Sequence, residues 1–153
     1  MTKISSIIQA RTGSTRLPRK VLEKLGDKSV LEWLIYRTTK AKKSDDVILA
    51  TTLSKNDDIL CDYAKKYNIN IYRGNANDVL DRYYQAALAS NTDIIIRVCA
   101  DRPFIDPELI DSAVKLYQNS DADIVFNHIS ENDQWWPRGF GVEVFSTTLL
   151  KDF

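Results

Sequence analysis

Residues 93–100, which read DIIIRVCA, form a short run of mostly apolar side chains dominated by isoleucine and valine. Runs of this length and composition are typical of strands that are covered on both faces. The single arginine, Arg97, interrupts the run without ending it. We therefore predict a strand over 93–100 and place it near the centre of a sheet.

Comparable runs occur on both sides of this segment, at residues 4–10, 46–52, 68–73, 121–126 and 141–145. Signals for helix starts lie between them: a capping box from Ser29 to Glu32, Ser54 with Asp57, Asn77 or Asp78, and Asp106 followed by Pro107. Strands that alternate with single helices form right-handed crossovers. The pattern predicts an α/β fold with a mainly parallel sheet.

The composition restricts the class of protein. The chain has 153 residues, 44% of them hydrophobic and 27% charged, which is typical of one soluble domain with its own core. Lys and Arg number 21, as do Asp and Glu, so the net charge is zero. This balance argues against a strongly basic nucleic-acid binder. No stretch approaches the roughly 20 apolar residues of a membrane span.

The amino-terminal sequence and the cysteines indicate the cellular compartment in which we expect the protein. Arg11 comes before an apolar signal-peptide core has formed. Cys61 and Cys99 have neither the spacing of metal ligands nor a Cys-x-x-Cys pattern. We expect two thiols in a reducing compartment, hence a cytoplasmic protein without nucleic-acid or membrane partners.

The first loop, RTGSTRLPRK over residues 11–20, concentrates positive charge at the end of a predicted strand. Its three arginines and Lys20 can neutralise an anion, and backbone N–H groups near Gly13 can surround it. A di- or triphosphate fits this chemistry, since ligands of parallel sheets bind beyond the carboxyl ends of the strands. The glycine spacing matches neither a P-loop nor a dinucleotide fingerprint, so a solvated basic loop is the alternative.

Four blocks of sequence carry a resemblance to a known family. They are IIQARTGSTRLPRKVL (7–22), YRGNANDVLDRYYQAA (72–87), IIRVCADRPFIDPELID (95–111) and WPRGFGVEVFS (136–146). In this order they resemble the cytidylyltransferases that make CMP-activated sugars, such as the CMP-sialic acid and CMP-KDO synthetases. The nearest subgroup is the spore-coat polysaccharide biosynthesis type.

The resemblance implies a fold and a reaction. The fold is a three-layer αβα sandwich of the nucleotide-diphospho-sugar transferase type, which is GT-A-like and Rossmann-like. The reaction joins CMP from CTP to a sugar or a sugar or polyol phosphate, with release of pyrophosphate, for surface polysaccharide or glycan biosynthesis. Mg²⁺ is the implied cofactor. Relatives often dimerise, so a homodimer is one assembly that the resemblance implies.

Matching the blocks position by position also implies roles for individual residues. Asp101 stands where the family places a magnesium-binding aspartate, with a turn cap as the alternative. Lys20 and Asp101 are the implied catalytic residues. Glu143 is a candidate second metal ligand, with a solvated strand face as the alternative. The implied nucleotide contacts are Ala10, Arg11, Ser14, Arg16, Lys20 and Arg73.

The sequence departs from the family pattern at three places. Gly141 stands where the subgroup commonly has an acidic residue, and Arg102 stands where it usually has cysteine. The chain also ends at Phe153, before family members usually stop, so we expect a single nucleotide-binding α/β domain over 1–153 that is truncated at its C-terminus. These departures keep a non-catalytic nucleotide-binding module open as the alternative function. A GT-A-like glycosyltransferase is a third, weaker reading, because Asp121-Ala-Asp123 precedes a strand instead of following one.

Overall fold

The computed structural model describes residues 1–14, 17–127 and 139–152. The strands are β1 Ile4–Gln9, β2 Lys24–Leu25, β3 Lys28–Ser29, β4 Asp46–Thr52, β5 Asn70–Gly74, β6 Ile94–Cys99, β7 Ile124–Phe126 and β8 Glu143–Ser146. The helices are α1 Val30–Thr38, α2 Asp58–Lys66, α3 Val79–Ala89 and α4 Pro107–Gln118, with 3₁₀ helices at Lys20–Leu22, Lys55–Asp57 and Thr147–Asp152. Within these ranges, no helix is long and apolar enough to cross a membrane.

One sheet contains six of the strands, in the order β5-β4-β1-β6-β8-β7. Strand β1 pairs in parallel with β4 and β6, and β4 pairs in parallel with β5. Strand β8 runs antiparallel to both β6 and β7, so the chain reverses at this side of the sheet. The predicted α/β fold with a mainly parallel sheet is confirmed, and the segment over 93–100 lies at its centre.

Helices cover both faces of the sheet, and the alternation of side chains along β1 shows how. Ile8 belongs to a buried cluster with residues of α1, α2 and α4. Ile7 points to the opposite face and belongs to a second cluster with residues of α3. Neither side chain is exposed to solvent. This arrangement is the three-layer αβα sandwich that the resemblance implies.

The hairpin of β2 and β3 is a feature that the sequence analysis does not predict. Its two-residue turn consists of Gly26 and Asp27, and Gly26 has a φ of 70°. Glycine adopts this left-handed conformation without strain. Strands of two residues are too short to produce an alternating pattern, so the turn is the only signal of this hairpin in the sequence.

Most helices begin at the predicted caps. Ser29, Asp78 and Asp106 accept hydrogen bonds from backbone N–H groups in the first turns of α1, α3 and α4. Ser54 does the same for the 3₁₀ helix before α2, but Asp57 makes no capping bond. The expected cap of Ser54 with Asp57 is therefore confirmed for Ser54 alone, because the carboxylate of Asp57 accepts hydrogen bonds from Thr12 and Thr52 at the ends of two strands instead.

Glu32 connects the start of α1 to the end of α2. Its carboxylate accepts hydrogen bonds from the N–H of Ser29 at 2.8 Å, from Nζ of Lys66 at 2.8 Å and from the hydroxyl of Tyr67 at 3.1 Å. Burial acts to raise the pKa of Glu32, but the hydrogen bonds from Lys66, Ser29 and Tyr67 outweigh burial and lower the pKa from 4.5 to about 2. The carboxylate is therefore ionised throughout the neutral range.

Replacing Glu32 with Gln removes the charge and keeps the size of the side chain. We expect Glu32→Gln to lose about 1.5–3 kcal/mol of unfolding free energy at pH 7, the range for hydrogen bonds to charged groups. Because the pKa is lowered in the folded state, the contribution of Glu32 is present above about pH 4.5 and is lost as the pH falls towards 2. Urea unfolding at several pH values between 7 and 2 measures both effects.

The exposed Glu23 provides a matched control, since Glu23→Gln makes the same chemical change at a solvated position. We expect this variant to be as stable as the wild type to within about 0.5 kcal/mol. Equal losses in the two variants, or a loss in Glu32→Gln that persists undiminished at pH 2, contradict this account of Glu32.

Candidate active site

A pocket of about 230 Å³ opens where β1 and β6 end. The two strands pair in parallel with Gln9 opposite Cys99, so the segments that follow them leave the sheet side by side. The backbone N–H of Ala100 donates to the carbonyl of Gln9 at 3.1 Å and continues this pairing to the edge of the pocket. The lining residues are Gln9, Ala10, Arg11, Ser14, Lys20, Val21, Cys99, Ala100 and Asp101.

This pocket brings together most of the residues that the resemblance implicates. Ala10, Arg11, Ser14, Lys20 and Asp101 all line it. Arg16 lies outside the described residues. Arg73 and Glu143 are described, but they do not line this pocket.

Lys20 and Asp101 form the ion pair at the centre of the site. Nζ of Lys20 lies 2.9 Å from Oδ2 of Asp101, although the two residues are far apart in sequence. Burial acts to raise the pKa of Asp101, but the hydrogen bond and the charge of Lys20 outweigh burial and lower the pKa below its usual value. The Asp101 side chain remains half-exposed, so its carboxylate is ionised and accessible from solvent.

The residues of the pocket fit a magnesium ion that takes most of its ligands from phosphate and water. Among the residues that the structure describes, no group of three or more His, Cys, Asp and Glu side chains comes together as a metal cage. Mg²⁺ often takes one or two carboxylates and completes its shell with phosphate oxygens and water. The ionised carboxylate of Asp101, beside a basic loop, suits an ion that arrives with a phosphate ligand.

Glu143 is engaged by an arginine on the neighbouring strand. It lies opposite Arg97 in the β6–β8 pairing, and Nη1 of Arg97 is 2.5 Å from each carboxylate oxygen. The same guanidinium lies over the ring of Tyr83, whose helix α3 covers that face of the sheet. Arg97, left unassigned by the sequence, is thus a partner of Glu143, and the metal-binding role of Glu143 stays a prediction.

Arg73 joins β5 to the segment that follows β4. Its Nε donates to the carbonyl of Thr52 and its Nη2 to the carbonyl of Ser54, both at 2.8 Å. Its Nη1 also lies 2.7 Å from Oδ1 of Asp58 at the start of α2. These contacts give Arg73 a structural task in the free protein, and its nucleotide contact stays a prediction.

Two arginines hold the loop between β5 and α3, Arg11 from the pocket lining and Arg82 from within α3. Nη1 of Arg11 donates to the carbonyl of Ala76 at 3.2 Å, and Nη1 of Arg82 donates to the carbonyl of Asn75. Arg82 is completely buried, and burial, followed by the nearby charge of Arg11, lowers its pKa. No spacing rule distinguishes Arg82 from an exposed helical arginine, so sequence reasoning did not find it.

The two internal departures from the family pattern lie against each other. A Cβ atom at position 141 would lie 2.8 Å from Cζ of Arg102, which is closer than side chains normally approach. Gly141 is therefore what leaves room for the Arg102 guanidinium in its observed position. The result is a cation next to Asp101, on the β8 side of the pocket.

The comparison with protein families agrees with this geometry. A family model described as cytidylyltransferase matches residues 5–147, which is nearly the whole chain. The chain belongs to the cytidylyltransferase family. Its nucleotidyltransferase fold and the resemblance of its four sequence blocks are thereby confirmed.

Individual cytidylyltransferase relatives extend this result. The chain is 37% identical to the spore coat polysaccharide biosynthesis protein SpsF of Bacillus subtilis, over 99% of this chain and 62% of SpsF. It is 34% identical to a 3-deoxy-manno-octulosonate cytidylyltransferase of Solibacter usitatus, over 73% of this chain and 44% of that protein. The structure of a cytidylyltransferase from Leptospira borgpetersenii matches with a TM-score of 0.90 and 34% identity, over 99% of this chain and 63% of that one.

The chain thus spans less than two thirds of the length of each of these relatives. The residues that the family model matches include all those that line the pocket, Lys20 and Asp101 among them. Because the relatives are longer, their activities and substrates are considered for this chain only as proposals.

The contribution of Arg73 to stability can be measured without any ligand. We expect Arg73→Met to lose about 1–3 kcal/mol of unfolding free energy, because the carbonyls of Thr52 and Ser54 lose a charged donor. Asp58→Asn removes only the exposed partner of the ion pair, so it should lose less than about 1 kcal/mol. Urea unfolding measures both values. An Arg73→Met variant as stable as the wild type would remove the structural explanation and favour a direct nucleotide contact.

Proposed function

We propose that this chain carries the nucleotide site of an enzyme that joins CMP from CTP to a sugar or a sugar or polyol phosphate. The observation that carries the proposal is the meeting of Lys20 and Asp101, 2.9 Å apart, in one pocket with the first loop. Membership in the cytidylyltransferase family supports the choice of nucleotide. The names of SpsF and of the 3-deoxy-manno-octulosonate enzymes support an acceptor used for surface polysaccharide or glycan biosynthesis.

The reaction replaces the phosphoanhydride bond between the α- and β-phosphates of CTP with a bond from the α-phosphorus to the acceptor. The attacking atom is a hydroxyl oxygen of a sugar, which loses its proton to solvent, or an ionised phosphate oxygen of a sugar or polyol phosphate. The bond from that phosphorus to the oxygen bridging to the β-phosphate breaks, and pyrophosphate leaves. Charge remains on the phosphate oxygens throughout, so catalysis depends on positioning and on neutralising that charge.

Different residues of the pocket neutralise charge and position the nucleotide. Lys20 and Arg11 neutralise the triphosphate, and Ser14 donates a hydrogen bond to it. Lys20 is paired with Asp101 in the free protein, and it would leave Asp101 to contact the phosphates. The freed carboxylate of Asp101 would hold Mg²⁺, and the metal would supply polarisation of the α-phosphate.

Arg102 favours an acceptor that carries a negative charge. Its guanidinium lies beside Asp101 and over Gly141, on the side of the pocket away from the loop that Arg11 contacts. A carboxylate or phosphate group of the acceptor is the natural partner for a guanidinium in that position, because Arg binds both with paired hydrogen bonds.

A nucleotide-binding domain without transferase activity is the second candidate. Among the described residues that line the pocket, Asp101 is the single carboxylate, while Glu143 is held by Arg97. A binding domain of this kind shifts its melting temperature with CTP but releases no pyrophosphate. Pyrophosphate release with acidic sugars and sugar phosphates therefore separates the two candidates.

Thermal shifts with the four nucleoside triphosphates, each with and without Mg²⁺, test the nucleotide site. A ligand that binds only the folded state raises the melting temperature. We expect the largest rise with CTP and a further rise with Mg²⁺. Lys20→Ala should lose most of the CTP effect, and Asp101→Asn should lose the increment that Mg²⁺ adds.

Lys24→Ala is the matched control, since Lys24 is exposed on β2 and does not line the pocket. It removes the same charge and should keep the full response to CTP. If Lys20→Ala responds to CTP like Lys24→Ala, Lys20 does not bind the triphosphate. If Asp101→Asn keeps the magnesium increment, Asp101 is not the metal ligand.

Two variants test the role of Arg102 in different ways. Arg102→Ala removes the guanidinium, whereas Gly141→Ala keeps it and displaces it by steric overlap. In a pyrophosphate-release assay with acidic sugars, we expect both variants to raise KM for the acceptor about 10- to 100-fold, the cost of a hydrogen bond to a charged group. The KM for CTP should change little. A selective rise in KM for CTP would show instead that Arg102 contacts the nucleotide.

A further inference from the structure

We propose that Asp57 is a positioning residue that holds the first loop in the conformation needed to bind phosphate. The proposal rests on the proposed function, since it assigns the loop to nucleotide binding. Asp57 does not line the pocket, so it acts through the residues that it contacts.

The carboxylate of Asp57 joins the ends of two parallel strands. Oδ1 accepts hydrogen bonds from the backbone N–H of Thr12 at 2.7 Å and from the Thr12 hydroxyl at 2.6 Å. Oδ2 accepts from the hydroxyl of Thr52, the last residue of β4. Because β1 and β4 are neighbours, their ends meet at one edge of the sheet, where Asp57 connects them.

Thr12 passes this constraint on to the loop. Its carbonyl accepts hydrogen bonds from the N–H of Ser14 and the N–H of Arg19, both at 2.9 Å. Ser14, which lines the pocket, is thus bonded directly to Thr12. Lys20, which also lines the pocket, follows directly after Arg19, the second residue bonded to Thr12.

Burying the charge of Asp57 is costly, which indicates that its hydrogen bonds to Thr12 and Thr52 are a specific feature of the fold. Asp57 is 2% exposed, and Thr12 is 6% exposed. Burial acts to raise the pKa of Asp57, but the hydrogen bonds from Thr12 and Thr52 outweigh burial and keep the pKa below its usual value. A buried charge is tolerated only when its hydrogen-bonding capacity is satisfied, and here Thr12 supplies two of the donors to the carboxylate of Asp57.

A loop that is ordered before the ligand arrives lowers the entropic cost of binding. Gly13 and its small neighbours have high conformational freedom, and ordering them at the moment of binding would reduce affinity. With Thr12 held in advance, the backbone N–H groups near Ser14 are ordered before the ligand arrives, and only the Lys20 side chain has to change its partner. Loss of the Asp57–Thr12 contact should therefore weaken CTP binding without removing any group that touches CTP.

The first test measures the loop in the free protein. Thr12→Val removes the hydroxyl and keeps the shape of the side chain, and Asp57→Asn removes the charge. We expect hydrogen exchange of the Ser14 and Arg19 amides, followed by NMR, to become about tenfold faster in both variants, as the loss of one such hydrogen bond implies. Thr12→Ser restores the hydroxyl and should restore slow exchange.

Thr147→Val is the matched control for a general loss of stability. The Thr147 hydroxyl is also buried, and it donates to the carbonyl of Thr92 at 2.6 Å, before the start of β6 at the opposite edge of the sheet. This variant loses a comparable hydrogen bond, so it should leave the exchange of Ser14 and Arg19 unchanged. Equal exchange at these amides in wild type, Thr12→Val and Asp57→Asn overturns the proposal.

The second test measures the consequence for the ligand. We expect Kd for CTP, measured by calorimetry, to rise about tenfold in Thr12→Val and to return to the wild-type value in Thr12→Ser. Unchanged Kd in Thr12→Val, despite faster loop exchange, overturns the link between Asp57 and binding. If the wild type binds no CTP, the proposed function fails, and the exchange experiment still decides whether Asp57 holds the loop.

Discussion

The parallel pairing of β1 with β4 and β6 is the constraint on which the site depends. Parallel neighbours end at the same edge of a sheet, so the segments after Gln9, Thr52 and Cys99 emerge side by side. Lys20 and Asp101 meet across the pocket for this reason, although many residues separate them in the chain. A one-residue change of register in β6 would move Val98 and Ala100 to the opposite face of the sheet and displace Asp101 from Lys20.

Three carboxylates show how the same chemical group serves either the scaffold or the site. Glu32 and Asp57 are buried, and each accepts several hydrogen bonds from segments that are distant in sequence. Such groups are satisfied in one arrangement only, and they therefore specify it. Asp101 is half-exposed, and its side-chain partner among the described residues is Lys20. Under the proposed function, Lys20 leaves it for the phosphates. Exposure and an exchangeable partner are what set Asp101 apart from the two buried carboxylates.

The β8 side of the pocket is where this chain departs most from the family pattern. Gly141 leaves space that Arg102 fills, so the two departures form one local rearrangement. Two residues after Gly141, at the start of β8, Glu143 is neutralised by Arg97. The side nearest β1, with the first loop and Lys20, retains the resemblance. Under the proposed function, the side that retains the resemblance binds the nucleotide, and the changed side faces the acceptor.

The linear sequence was sufficient for features that depend on neighbouring residues. Strand runs, the Ser29–Glu32 box and the Asp106–Pro107 helix start are local patterns, because hydrophobic periodicity and capping act within one or two turns. The basic first loop and its place after a strand were visible for the same reason. Contacts between residues that are distant in the sequence were not visible in this way. Asp57 reads as a helix cap and Arg82 as an ordinary helical arginine until the fold brings Thr12, Thr52 and Asn75 to them. The choice of partner for Arg97 and Arg102 likewise depends on which strand lies beside β6, and strand order is set by long-range packing that no local pattern encodes.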